Sequence, residues 1–360
     1  MTPLRMPADA PFRTLVGVGG IGGGIVLSLD GGATLGREES RGAHLLDVRD
    51  ACKLHIVAHH VAVLLGATPS GTPFRVVPVA CIGDDDTGRW ALAEMRAAGI
   101  DTTHVATLED RPTLFSVCFQ YPDGAGGNLT TLDSAAAALT GSDVDALEPL
   151  LATDGPRTIA LAAPEVGLDP RRRLLELATE HGAFRVASFV SGEVERARDD
   201  GLFELADLVA LNADEAGSLA GHALDPADPG TFLATLVTAT GADRRRLRLV
   251  VTAGAAGAFA YDDGQWHNRG SIPVDVASTA GAGDALLGGV LAGLAAGVPL
   301  LSEAGTPTSS LTCSLDLGVL LAAVSVTSPH TIHPHADLGA LVDQAERTGH
   351  TFGPPLSDVL

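Results

Sequence analysis

The chain has 360 residues, 46% of them hydrophobic, which suits one large globular α/β domain or one with a small appendage. Its formal charge of -21, with Lys53 the single lysine, excludes a nucleic-acid surface, which needs a basic stripe. It does not exclude an anionic ligand, because backbone N–H groups and a bound cation can hold a phosphate.

No apolar run reaches the roughly 18 residues that span a bilayer. Cys52, Cys81, Cys118 and Cys313 lie too far apart for a CxxC motif and are too few for a disulfide framework. Residues 1–12 read as a tail, and the polar, proline-bearing start up to Arg13 lacks the pattern of a secretory leader, so a cytoplasmic protein is expected.

The first apolar run, Thr14-Leu15-Val16, leads into Gly17-Val18-Gly19-Gly20-Ile21-Gly22-Gly23-Gly24, which satisfies GxGxxG at Gly17, Gly19 and Gly22. A dinucleotide site needs a helix opening on the last glycine so that its N-terminus faces the pyrophosphate. The chain continues instead through Ile25 to Leu29, with apolar residues at 25, 27 and 29 and a closing Gly31-Gly32, which predicts a second strand. An NAD enzyme is therefore the weaker reading, although Glu38 and Glu39 stand at the spacing of a ribose contact.

Further strands are predicted at 75–80, 158–161, 208–211 and 249–252, alternating with helices over 87–98, 170–182, 213–220, 230–240, 284–296 and 317–327. This alternation predicts an α/β fold with a mostly parallel central sheet covered by helices on both faces. Residues 25–50 and 112–132 contain strands with no helix after them; the second segment turns at Pro122-Asp123-Gly124. Together they predict a small antiparallel sheet serving as a β lid.

Near the C-terminal third, a predicted strand at 272–276 runs through Ser278-Thr279-Ala280-Gly281-Ala282-Gly283-Asp284 into a long apolar helix. Successive N–H groups at Ala282, Gly283 and Asp284 can converge on one anion, reinforced by the helix N-terminus. Asp284, in the first turn, is placed either to accept a proton from a hydroxyl nucleophile or simply to cap the helix.

The sequence resembles the ribokinase-like PfkB family of sugar and nucleoside kinases. The family's DTTGAGD signature is matched by Ser278 to Asp284, its NxxE motif by Asn212-Ala213-Asp214-Glu215, and its TxG segment by Thr252-Ala253-Gly254 with Gly257. Gly83-Asp84-Asp85-Asp86-Thr87-Gly88 resembles its GxDxxG element. The four motifs stand in the family's order and cover a domain of about 13–335, with a C-terminal helix and tail over 336–360. The resemblance implies ATP-dependent phosphorylation of an alcohol, with Asp284 as base and Gly281, Ala282 and Gly283 as anion hole. It further implies that Asn212 and Glu215 organise Mg²⁺ and phosphates through water, and that Thr252, Gly254 and Gly257 line the nucleotide groove.

The chain departs from the family in two places. Ser278 replaces the aspartate that belongs to the ion site in relatives activated by a monovalent cation, which puts potassium activation in doubt. The early aspartate and the GGxxxN element that hold simple sugars are replaced by Gly22 and by Cys52-Lys53-Leu54-His55-Ile56-Val57. The protonatable set Lys53, His55, His59 and His60, with Arg37, Glu38 and Glu39 from the lid and Asp133 at its base, points to a small-molecule acceptor bearing a charged or strongly polar group.

His55 and His59 share one helical face, but Ile56 stands where a zincin helix needs glutamate, which argues against zinc. The loop with His330, His333 and His335 is either a contact to adenine or the anion-hole turn, or a surface turn. The alternative to a kinase is a non-catalytic nucleotide- and sugar-binding protein of the same fold. A homodimer paired through the lid sheet is compatible with either.

Overall fold

The computed structural model describes residues 3–32, 34–122, 126–225, 228–243 and 245–360. Asp123 and Gly124 of the expected lid turn lie outside the described residues.

In chain order the strands of the two larger sheets are β1 (Thr14–Val18), β2 (Gly22–Leu29), β3 (Ala43–Ala51), β4 (Arg75–Gly83), β5 (Val105–Leu108), β6 (Leu114–Gln120), β7 (Gly126–Thr130), β8 (Thr158–Ala162), β9 (Phe184–Ser188), β10 (Leu208–Asn212), β11 (Arg248–Thr252), β12 (Ala258–Asp262) and β13 (Gln265–Arg269). Nine of them form one sheet in the order β13-β12-β11-β10-β9-β8-β1-β4-β5. Its neighbours from β5 to β11 are parallel, and only β12 and β13 run antiparallel at one edge.

Parallel strands covered on both faces must be apolar on both, and β1, TLVGV, is buried at every position. Leu15 packs into the core on one side of the sheet, while Val16 and Val18 pack into the core on the other. The sheet is thus an α/β layer with helices on both faces, and the helices at Ala213–Ala220 and Pro229–Thr240 begin within one residue of expectation.

The second sheet, β3-β2-β6-β7, is mixed rather than antiparallel: β2 and β6 run parallel, flanked by antiparallel β3 and β7. The reason is the way the chain enters it. Both β2 and β6 leave the same end of the main sheet, after β1 and β5, and so point the same way. Gly22 is required at the join, because a Cβ there would stand 2.1 Å from the Leu114 carbonyl oxygen. The glycine run passes into β2 and not into a helix, so the helix N-terminus that a dinucleotide needs is absent from Gly17 to Gly24.

The alternation expected in β2 is shifted: Val26 is buried, whereas Ile25 and Leu27 are half-buried. The register places Ile25 beside Val117, which is flanked in turn by Leu129, and Leu27 beside Leu45 and Phe119. Leu45, Val48 and Leu129 of this sheet are each more than half exposed. The opposite face carries Asp50 and Ser116, both buried.

Two further expectations change. Residues 272–276 form no strand; Pro273 has no N–H to give a ladder, and Val276 is exposed. The acidic Gly83–Gly88 element is structural: Asp85 caps the Asp86–Ala97 helix by accepting from Gly88 N at 2.8 Å, and its other oxygen accepts from Thr113 N at 2.7 Å, fixing the approach to β6. Among the described residues no helix is long and apolar enough to cross a membrane.

Candidate active site

Ligands of open parallel sheets bind beyond the carboxyl ends of the strands, and there the chain gathers its chemistry. Asn212 ends β10, Thr252 ends β11, and Ser188 and Phe189 stand at the end of β9. A cavity of about 220 Å³ is lined by these residues together with Glu215, Lys53 and the turn Gly281 to Asp284.

The turn is built by Gly281, which adopts φ 75 as the residue preceding the Ala282–Ala295 helix. That left-handed conformation suits glycine. A Cβ would also stand 2.8 Å from the Thr331 carbonyl oxygen. Gly281, Ala282 and Gly283 line the cavity beside Asp284, with Ala282 N donating to the Thr279 carbonyl at 3.3 Å.

Asn212 and Glu215 form a reciprocal cap on the Ala213–Ala220 helix: Glu215 N donates to Asn212 Oδ1 at 2.8 Å, and Asn212 N donates to Glu215 Oε2 at 2.8 Å. The Asn212 amide holds the remaining Glu215 oxygen, Oε1, at 2.8 Å. Glu215 is buried, and burial pushes its carboxyl up to about 7, against the pull of the Asn212 N–H and the Lys53 charge. Both of its oxygens are engaged by Asn212, so a divalent cation here would be reached through water, and its charge would favour the ionised form that burial opposes.

Lys53 is the first residue of the Lys53–Leu65 helix, and its Nζ lies 3.5 Å from Asp284 Oδ2. The Asp284, Glu165 and Glu215 carboxylates hold this ammonium protonated, raising it above its ordinary value despite desolvation. Burial raises the Asp284 carboxyl, and Lys53 works against that rise.

Two acidic residues that sequence reasoning did not single out feel the Lys53 charge. Glu165, three residues past the end of β8, has φ 72 and accepts from Lys53 N at 2.9 Å, so it caps a helix whose own preceding residue, Cys52, supplies no cap. Burial pushes Glu165 up to about 7, offset by Lys53. Asp50, at the lid base, accepts from Ser116 Oγ at 2.5 Å and from Cys118 Sγ at 3.2 Å; burial raises it. The available signal was position: Glu165 comes just after a predicted parallel strand, where site residues collect.

The remaining expected residues lie elsewhere. His55 is fully buried with no partner for either ring nitrogen, packed 6.1 Å from the Trp90 ring, and does not line the cavity. His60 is likewise buried and lies against the helix of Gly288. Desolvation lowers His55 and His60 to about 3 and His59 to about 4, so these rings are neutral and supply no positive charge. Arg37, Glu38 and Asp133 are exposed and do not line the cavity. Gly254 opens to solvent, and Gly257 is turned against the Arg269 carbonyl. The loop of His330 is not a free surface turn: His330 Nδ1 is 2.7 Å from Asp47 Oδ1 of the lid.

The family described as pfkB family carbohydrate kinase matches residues 57–337. None of the curated proteins compared matches the chain. Among solved structures, a ribokinase from Giardia lamblia is similar at 16% identity and TM-score 0.73, covering 94% of this chain and 99% of its own. A ribokinase from Arabidopsis thaliana complexed with ribose and ATP is similar at 17% identity and TM-score 0.67, over 93% of this chain and 99% of its own. A protein described as a ribokinase II from E. coli, in complex with ATP and Mg²⁺, has 16% identity and TM-score 0.68, over 93% and 100%. At these identities the likeness establishes a shared ribokinase-like fold.

Proposed function

Because this chain belongs to the pfkB family of carbohydrate kinases, a family of phosphotransferases, we propose that it moves the γ-phosphoryl group of ATP to a hydroxyl of a sugar-like acceptor, with Asp284 as general base. The observation that carries this reading is the meeting of Asp284, the Gly281 turn and Lys53 in one cavity at the carboxyl ends of the strands. A carboxylate in the first turn of a helix, beside N–H groups that converge on an anion, has both parts that phosphoryl transfer asks of a protein.

In this mechanism the acceptor hydroxyl gives its proton to Asp284 as its oxygen bonds to phosphorus, while the bond from the γ-phosphorus to the bridging oxygen breaks and ADP leaves. The N–H groups of Gly281, Ala282 and Gly283 stabilise charge on the transferring oxygens. Lys53 keeps Asp284 ionised and oriented. Mg²⁺, when bound, neutralises phosphate charge; Asn212 and Glu215 would hold it through water. Thr252 lines the nucleotide side of the cavity, with Gly254 and Gly257 shaping the turn beyond it.

The acceptor is a small molecule with a strongly polar, hydroxyl-bearing face, received by Lys53, Asp50 and Glu165 under the lid. This kinase domain extends over about 13–335, with 25–50 and 112–132 as lid segments. The exposed apolar outer face of the lid sheet supports pairing of two copies there.

The test is ADP release from Mg·ATP across neutral sugars, sugar acids, sugar phosphates and nucleosides, with Asp284→Asn as control. Acceptor-dependent turnover that falls by roughly 10²- to 10⁴-fold in the variant is the expected result for loss of a general base. Failure of the protein to bind Mg·ATP at all would overturn the reading.

A further inference from the structure

The segment 326–331, after the Ser314–Ser325 helix, is bonded at both ends to parts of the site that are far apart in sequence. At one end the Val326 carbonyl accepts from Ala277 N at 2.8 Å and Ser278 N at 3.2 Å, the residues that lead into the Gly281 turn. At the other end Thr331, only 1% exposed, serves the last residues of lid strand β3: its Oγ1 accepts from Ala51 N at 2.8 Å and donates to the Arg49 carbonyl at 3.4 Å.

The same residue lies beside the turn. The Thr331 carbonyl oxygen and Cβ close over Gly281, at 2.8 and 3.3 Å from the position a Cβ would take. His330 fastens the connector through its 2.7 Å contact with Asp47, a buried lid residue whose Oδ1 also accepts from Val48 N and Arg49 N. His330 N in turn donates to Ser328 Oγ at 3.1 Å.

We infer that Thr331 is a positioning residue: it sets the separation between β3 of the lid and the Gly281 turn, so that seating the lid and shaping the anion hole are one event. That Gly281 begins an anion hole rests on the kinase reading above; the mechanical coupling does not.

Interior packing transmits displacement because it has no slack to absorb it. A shift of β3 moves Ala51 and Arg49, both bonded to the one Thr331 hydroxyl, and the Thr331 backbone lies beside Gly281 in the space that a Cβ on that glycine would fill. β3 also runs through Cys52 into Lys53, so lid position reaches Asp284 from two sides, through Lys53 Nζ and through the turn that starts its helix.

The experiment is amide hydrogen exchange on the full chain, without nucleotide and then with Mg·AMP-PNP, in wild type, Thr331→Val and Thr331→Ser. The reporters are Ala51 N, which loses its acceptor directly, and Ala282 N and Ala285 N, which donate to the Thr279 and Gly281 carbonyls at 3.3 and 2.8 Å. The expected result is that Thr331→Val raises exchange at Ala51, Ala282 and Ala285 together by about tenfold, with the melting temperature held within a few degrees, and that Thr331→Ser restores all three. The milder His330→Ala, which keeps the Thr331 stitch, shows the same pattern at smaller amplitude and serves if Thr331→Val does not fold.

Faster exchange at Ala51 alone, with Ala282 and Ala285 unchanged, overturns the coupling; so does failure of serine to restore it. Because the nucleotide-free measurement decides this, a wild type that does not bind Mg·AMP-PNP would count against the kinase reading and leave the coupling result standing.

Discussion

Lys53 Nζ and Asp284 Oδ2 stand 3.5 Å apart although 231 residues separate them in the chain. The pair joins the end of the lid to the Gly281 turn, since Lys53 comes two residues after β3 and Asp284 lies in the first helical turn after Gly281. Ammonium and carboxylate each stabilise the other's charged form, and the pair is partly screened, with the lysine side chain 32% exposed.

Lys53→Met is therefore expected to lower kcat by roughly 10- to 100-fold through a less well held base. The acid limb of the rate profile should move to higher pH, because Lys53 lowers the Asp284 carboxyl and its loss lets burial act unopposed. A pH–rate profile of kcat/KM checks this; an unmoved acid limb with unchanged kcat would remove Lys53 from the mechanism.

The buried histidines predict acid lability. Their folded values of about 3 to 4 lie below the ordinary 6.5, so between these limits the unfolded chain binds more protons and stability rises with pH. That stability is full above about 6.5 and is lost as pH falls toward 4, with on the order of 2 kcal/mol per ring already gone at pH 5. Glu165 and Glu215 have the opposite sign: raised to about 7 from 4.5, they are protonated more readily in the folded state, so their contribution is present below 4.5 and fades as pH rises through 7. Thermal melts from pH 4.5 to 8 should show His60→Leu flattening the acid side and Glu165→Gln flattening the neutral side. Parallel curves for wild type and His60→Leu would contradict the assignment.

Gly281→Ala should be more damaging to activity than to stability. Left-handed backbone costs alanine about 1–2 kcal/mol, and its Cβ, 2.8 Å from the Thr331 carbonyl oxygen, forces the turn to shift, whereas a displaced anion hole costs roughly 10²- to 10³-fold in kcat. Comparing kcat with the melting temperature separates the two; a variant with full activity and lowered stability would show that the turn does not bear on the transition state.

The apolar outer face of the lid predicts association. Sedimentation should report a dimer for wild type and a monomer for Leu45→Arg combined with Leu129→Arg, positions 58% and 65% exposed in the single chain. A monomeric wild type at tens of micromolar protein would remove the pairing.

Much of the fold and part of the site was legible because it depends on neighbours in the chain. The apolar run of β1, the alternation of strands and helices after it, and the Asn212 to Glu215 cap all arise within a few residues of one another, where propensity and local hydrogen bonding act. Asp284 could be placed at a helix start by the glycines before it. Only the tertiary structure decided which charges meet. The order of strands brings Glu165 after β8 and Lys53 after β3 to the same helix end, and Thr331 onto Gly281; none of these encounters leaves a periodic trace in the sequence. It also decided that His55 and His60 lie in the interior as neutral rings, because a residue's charge depends on its burial and partners, and both are set by packing between segments rather than by the segment itself.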